Sequence, residues 1–161
     1  MTEPITRILV PVDFSATSDR AVLYAATLAG QAGASVELLH VVEDPFVGGA
    51  FSSEIYVPNI PAMLEDLINH ASTRLASIKT AMFPHGSDVE TVVVVGRAAH
   101  TIVEHAKAGG FDLIVMGTHG RSGVSHLFMG SVAERVVRTA PCAVLTVRGQ
   151  GSGVAHGSKA A

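Results

Sequence analysis

Five short apolar runs rich in β-branched residues alternate along this chain with stretches whose apolar residues recur every three or four positions. The runs are Arg7–Val12, Ala34–Val42, Asp88–Val95, Asp112–Met116 and Cys142–Arg148. Runs of this length fit strands, and strands joined through helices pair in parallel by right-handed crossovers. The pattern therefore predicts an open α/β sheet with helices on both faces. A chain of 161 residues fits one domain able to bury roughly 70% of its unfolded surface.

The stretches between the runs read as helices. From Thr17, Val22, Ala25, Leu28, Ala29 and Ala32 keep helical spacing up to Gly33. Over Asn59–Met82 a stripe of Leu64, Leu67, Ile68, Ala71, Leu75, Ile78 and Met82 predicts the longest helix. Asn59 is its expected cap, Pro61 suits its first turn, and Glu65 and Asp66 complement its dipole. Ala98, Ala99, Ile102, Val103 and Ala106 mark a third helix ended by Gly109-Gly110, and Val132, Ala133, Val136 and Val137 a fourth stopped by Pro141. Residues Glu43–Pro58 keep no period and carry Pro45, Gly48, Gly49 and Pro58. A loop this long at a strand's carboxyl end is expected to be a mobile flap over a ligand site or a plain surface loop. The domain is expected over 1–148, with 149–161 a disordered glycine-rich tail.

Composition excludes several classes. No apolar run approaches the roughly 18 residues a membrane helix needs, and MTEPITR is no signal peptide. A single cysteine, Cys142, forms no internal disulfide and suits a reducing cytoplasm, where it reads as a small core residue. A net charge of −3 with 11 Lys and Arg argues against nucleic acid as a partner. His100 and His105 lie five apart, which does not put two zinc ligands on one helical face. No serine elbow or paired cysteine suggests nucleophilic catalysis.

The chemistry concentrates in Val115–Ser131, VMGTHGRSGVSHLFMGS, which passes from a strand through a glycine-rich loop to a helix start. Glycines let a ligand approach backbone N–H groups, and a helix N-terminus carries partial positive charge suited to phosphate. The spacing is G-x-x-G-x9-G-S, with Gly117, Gly120, Gly130 and Ser131. It is not the common phosphate loop, because Lys79, Lys107 and Lys159 all lie elsewhere, nor the G-x-G-x-x-G dinucleotide fingerprint. Each residue also has a bland reading. The glycines serve turns at positive φ, Ser131 forms a capping box with Glu134, Asp13 ends a strand, and Arg121, His119 and His126 are solvated loop residues.

This spacing, with ILVPVDFS near the start and CAVLTVR near the end, resembles the ATP-binding branch of the universal stress protein family over roughly Ile5–Arg148. The resemblance implies a Rossmann-like, doubly wound five-stranded parallel sheet of order 3-2-1-4-5. The first and fourth strands are then neighbours where strand order reverses, and ligands bind at such a point beyond the strands' carboxyl ends. It also implies ATP as ligand, with Mg²⁺ brought in by the phosphates. Asp13 would meet the adenosine, and Val12, Val41, Met116 and Val132 would line the pocket. Gly117, Gly120, Gly130 and Ser131 would take the phosphates, with Arg121 pairing to phosphate oxygens. Family members dimerise through the last strand, so a homodimer paired along Cys142–Arg148 is expected. The function implied is a cytoplasmic, nucleotide-responsive module in stress response. A slow ATP-hydrolysing enzyme and an AMP or cyclic-nucleotide sensor are the alternatives; hydrolysis needs a positioned base that the sequence does not supply.

Overall fold

The computed structural model describes residues 4–43, 59–119 and 129–149. Its elements run β1 (Arg7–Pro11), α1 (Ala16–Ala32), β2 (Ser35–Val42), α2 (Ile60–Met82), β3 (Val89–Val95), α3 (Ala98–Gly109), β4 (Leu113–Gly117), α4 (Ser131–Thr139) and β5 (Ala143–Val147). All pairings are parallel and the strand order is β3-β2-β1-β4-β5, the order the resemblance implies. Every strand begins and ends within one residue of its sequence-based bounds. Gly120, Arg121, His126, residues 44–58 of the long loop and 150–161 of the tail lie outside the described residues.

The alternation of side chains along each strand builds two cores. Ile8, Val10 and Val12 of β1, with Leu38 and Val115, pack against Ala21, Val22 and Ala25 of α1 and Leu75 of α2. Leu9, Leu39, Ile114 and Met116 point the other way, onto Ile102 and Ala106 of α3 and Ala133 and Val136 of α4. The central strand is buried on both faces, as its continuous apolar run requires. A latch fixes the amino end of the sheet: one carboxylate oxygen of Asp112 accepts from Thr6 N and Thr6 Oγ1, each at 2.8 Å, and from Arg7 N at 2.9 Å. Close by, buried Glu37 pairs with His105 of α3, whose ring lies 6.0 Å from that of Phe111.

Helix ends differ from the sequence reading in four places. Helix α1 starts at Ala16 rather than Thr17, because Ser15 Oγ accepts from Ser18 N at 3.2 Å and so caps the helix one residue earlier. Asn59 does stand at the N-cap of α2, but at φ 68, from which its side chain makes no capping bond. No acidic residue lies in that helix's first turn, so Glu65 and Asp66 are too far along to meet its terminal N–H groups. The capping box at α4 does not form either. Gly130 O accepts from Glu134 N at 2.9 Å, which makes Gly130 the cap and Ser131 the first helical residue. Gly33 and Gly110, at φ 68 and 61, end α1 and α3 in left-handed geometry that other residues adopt at a cost.

Candidate functional site

A crevice of about 570 Å³ opens beyond the carboxyl ends of β1, β2 and β4, where the strand order reverses. Its floor is made by Pro11–Phe14 after β1, Leu39–Glu43 of β2 and beyond, and Met116–His119 from the end of β4. Its walls come from the first turns of α3 and α4 and from one face of α2. A volume of this size suits a mononucleotide-sized ligand.

Of the expected site residues, Val12, Asp13, Val41, Met116, Gly117, Gly130, Ser131 and Val132 all line this crevice. Gly120 and Arg121 lie outside the described residues. Asp13 is held in place: its Oδ1 accepts from Ser15 N at 3.0 Å and from Ser15 Oγ at 2.6 Å. A second carboxylate joins Asp13 here: Glu43 also lines the crevice, and its Oε1 accepts from Ala98 N, at the start of α3, at 3.1 Å.

The two described glycines of the motif do not serve positive φ. Gly130 sits at φ −62 and ψ 151, and Gly117 is absent from the left-handed glycines. Gly117 instead gives room to α1. A Cβ added there would stand 2.9 Å from Thr17 Cγ2, 3.2 Å from the Thr17 carbonyl carbon and 3.3 Å from Ser18 N. Helix α1 therefore rests directly on the end of β4, which brings its amino turn to the crevice.

The loop's anchoring is equally local. Thr118, only 4% exposed, donates its N–H to Val147 O at 2.9 Å and accepts from Gly130 N at 2.7 Å. This ties the end of β4 to β5 and to the start of α4. Thr118 Oγ1 shares a hydrogen bond of 2.9 Å with His119 Nδ1, and His119 Nε2 is buried without a partner among the described residues.

Several lining residues escaped the sequence reading. Helix α2 contributes Leu67, His70, Ala71 and Arg74, of which Leu67 and Ala71 were assigned to the core stripe. Phe14 and His40 complete that side, with ring centroids 4.4 Å apart, and the Arg74 guanidinium lies 4.0 Å from the Phe14 centroid. Val12 O accepts from His40 Nδ1 at 2.7 Å, which fixes the proton on that nitrogen. His40, at a strand end beside Val41, carried a usable signal; α2 carried none, because crevice and core residues share one helical period.

Among the described residues, no group of three His, Cys, Asp or Glu is arranged to hold a metal ion, and no helix is long and apolar enough to cross a membrane.

The profile of the universal stress protein family matches residues 4–148. Universal stress protein MJ0531 of Methanocaldococcus jannaschii is 35% identical over 143 residues, which are 88% of this chain and 81% of that protein. The solved structure of MJ0577, from the same organism, superposes with a TM-score of 0.80 at 28% identity, covering 93% of this chain and 100% of the other. A universal stress protein solved in complex with cAMP superposes with a TM-score of 0.65 at 25% identity, covering 90% of this chain and 98% of its own.

Proposed function

Because this chain belongs to the universal stress protein family, we propose that it binds ATP in the switch-point crevice and acts as a nucleotide-responsive regulatory module. One observation carries the reading: Asp13, Gly117 and the adjacent Gly130 and Ser131, which come from three separate segments of the sequence, converge on one crevice of about 570 Å³. In this reading Asp13 addresses the adenosine, and Val12, Val41, Met116 and Val132 enclose it. Gly117, Gly120, Gly130 and Ser131 receive the phosphates at the N-terminus of α4, with Arg121 pairing to their oxygens. Mg²⁺ enters on the phosphates. Cyclic AMP is the second reading, favoured by the similar protein solved with that ligand.

The regulatory output is proposed to run through a homodimer. Strand β5 is a sheet edge, and Leu145 on it is 37% exposed. An apolar edge of this kind pairs with another chain unless it is protected. Ala143, Val144, Leu145 and Val147 suit pairing about a twofold axis.

Thermal unfolding with ATP and Mg²⁺, AMP, cyclic AMP and GTP tests the ligand. A ligand at about 100 times its Kd stabilises by roughly 2.7 kcal/mol, which in a domain of this size raises Tm by about 5–11 °C. The expected result is a rise with ATP that Gly130→Arg abolishes while remaining folded. No shift with any nucleotide, after copurified ligand has been excluded, refutes the reading.

A further inference from the structure

Phe14 has a backbone conformation that its side chain does not favour. Its φ of 64 lies in the left-handed region, where a bulky residue is a true outlier, costing about 1–2 kcal/mol that glycine or asparagine would largely avoid. The turn from β1 to α1 needs this conformation, since Asp13 must accept from Ser15 and Ser15 must cap α1. An aromatic at this position brings something that glycine cannot, which is contact with two other elements. Its ring meets His40 of β2 at 4.4 Å and the Arg74 guanidinium of α2 at 4.0 Å. His40 in turn holds Val12 O at 2.7 Å, on the residue preceding Asp13. Arg74 makes no ion pair among the described residues, and its guanidinium rests on the Phe14 ring.

We infer that Arg74 is a positioning residue for the crevice, holding the Asp13–Ser15 turn and the α2 wall in register by seating its guanidinium on Phe14. The cation stacks on the ring face and pins a strained residue from outside, while His40 pins it from the sheet. Asp13 is thereby presented to the crevice before any ligand arrives. Leu67, His70 and Ala71, on the same face of α2, line the crevice beside it. The inference deepens the nucleotide reading and rests on it only for the ligand-bound measurement.

The test uses Arg74→Met, which keeps the aliphatic stem and removes the cation, and Arg74→Lys, which keeps a cation. Without ligand, amide exchange at Ser15 and Ser18 is measured, because their N–H groups bond Asp13 Oδ1 and Ser15 Oγ. Exchange is expected to accelerate about twofold to fivefold in Arg74→Met, the factor that a cation–π contact at an exposed site supplies, and to recover in Arg74→Lys. Nucleotide affinity is measured in parallel with adenosine and with ATP. Both are expected to weaken by a similar factor, since the turn faces the nucleoside. Unchanged exchange at Ser15 and Ser18 overturns the inference whatever the ligand does. Loss of ATP affinity alone, with adenosine unaffected, also overturns it, because Arg74 would then be a direct anion contact. If wild type binds no nucleotide, the exchange result still decides the positioning role while the functional reading fails separately. In a Phe14→Leu background Arg74→Met is expected to add nothing.

Discussion

Gly117→Ala tests the claim that this glycine is required by packing. The new Cβ would stand 2.9 Å from Thr17 Cγ2, closer than real Cβ contacts come, and 3.2 and 3.3 Å from backbone atoms of Thr17 and Ser18. Thr17 is β-branched and helical, so its χ1 is confined to two rotamers, and the contacts to backbone atoms persist in either. Overpacking of this kind costs about 1–3 kcal/mol. Gly117 does not need positive φ, so alanine also removes about 0.4–1 kcal/mol of unfolded-state entropy in its own favour. The net loss is about 0–2.6 kcal/mol, a Tm lower by up to about 10 °C in a domain of this size. Denaturant titration with unchanged m gives the same quantity independently.

A second substitution sharpens the test. Thr17→Ala removes Cγ2 and its 2.9 Å clash but leaves the two backbone contacts. In the double variant the cost of Gly117→Ala should therefore shrink without vanishing, giving a coupling energy of about 0.5–1.5 kcal/mol. If Gly117→Ala is more stable than wild type, or if its cost is the same in the Thr17→Ala background, helix α1 does not rest on this glycine and the reasoning is wrong.

Two further predictions concern ionisation. Hydrogen bonds from Thr6 N, Thr6 Oγ1 and Arg7 N hold Asp112 below its usual 3.8. A depressed folded-state value means that the latch stabilises above the unfolded Asp range and loses that stability as pH falls through the folded value. Asp112→Asn should thus be less stable than wild type at pH 7 and converge with it in acid; parallel pH profiles would contradict this. Burial, with the negative charge of Asp112 adding to it, pushes the Cys142 thiol above 9.0, so it stays protonated at neutral pH. Its reaction with a disulfide reagent should begin at higher pH than that of a free cysteine and shift slightly lower in Asp112→Asn, and rapid labelling of the native protein at pH 7 would count against it.

The sheet was legible because local and global signals agree. Residues such as Ile8–Val10 and Leu113–Met116 are apolar at every position, which only a strand covered on both faces can use. The strand order was not written in any period and came from the family resemblance. The strand-end residues of the crevice followed from a topological rule that needs only the order and the carboxyl ends. Phe14 could not be read this way, because no propensity places an aromatic at φ 64; the contacts that hold it there come from Arg74 and His40, 60 and 26 positions away. Helix α2 shows the same limit, since Leu67 and Leu75 lie two turns apart on one stripe. Leu75 meets the sheet and is fully buried, whereas Leu67 meets the crevice and is 39% exposed.

The two described glycines of the motif consequently differ in what they say about ligand. Any chain that seats α1 on β4 at this distance needs Gly117, whether or not it binds a nucleotide, and its substitution disturbs stability and crevice together. Gly130 adopts φ −62 and ψ 151, which every residue tolerates, so its backbone makes no demand for glycine. In the nucleotide reading the demand comes from a phosphate approaching the first turn of α4, where a side chain would stand in the way. A substitution at Gly130 that leaves Tm unchanged and removes the ATP response therefore reports on the ligand, while the same loss in Gly117→Ala reports mainly on the packing of α1.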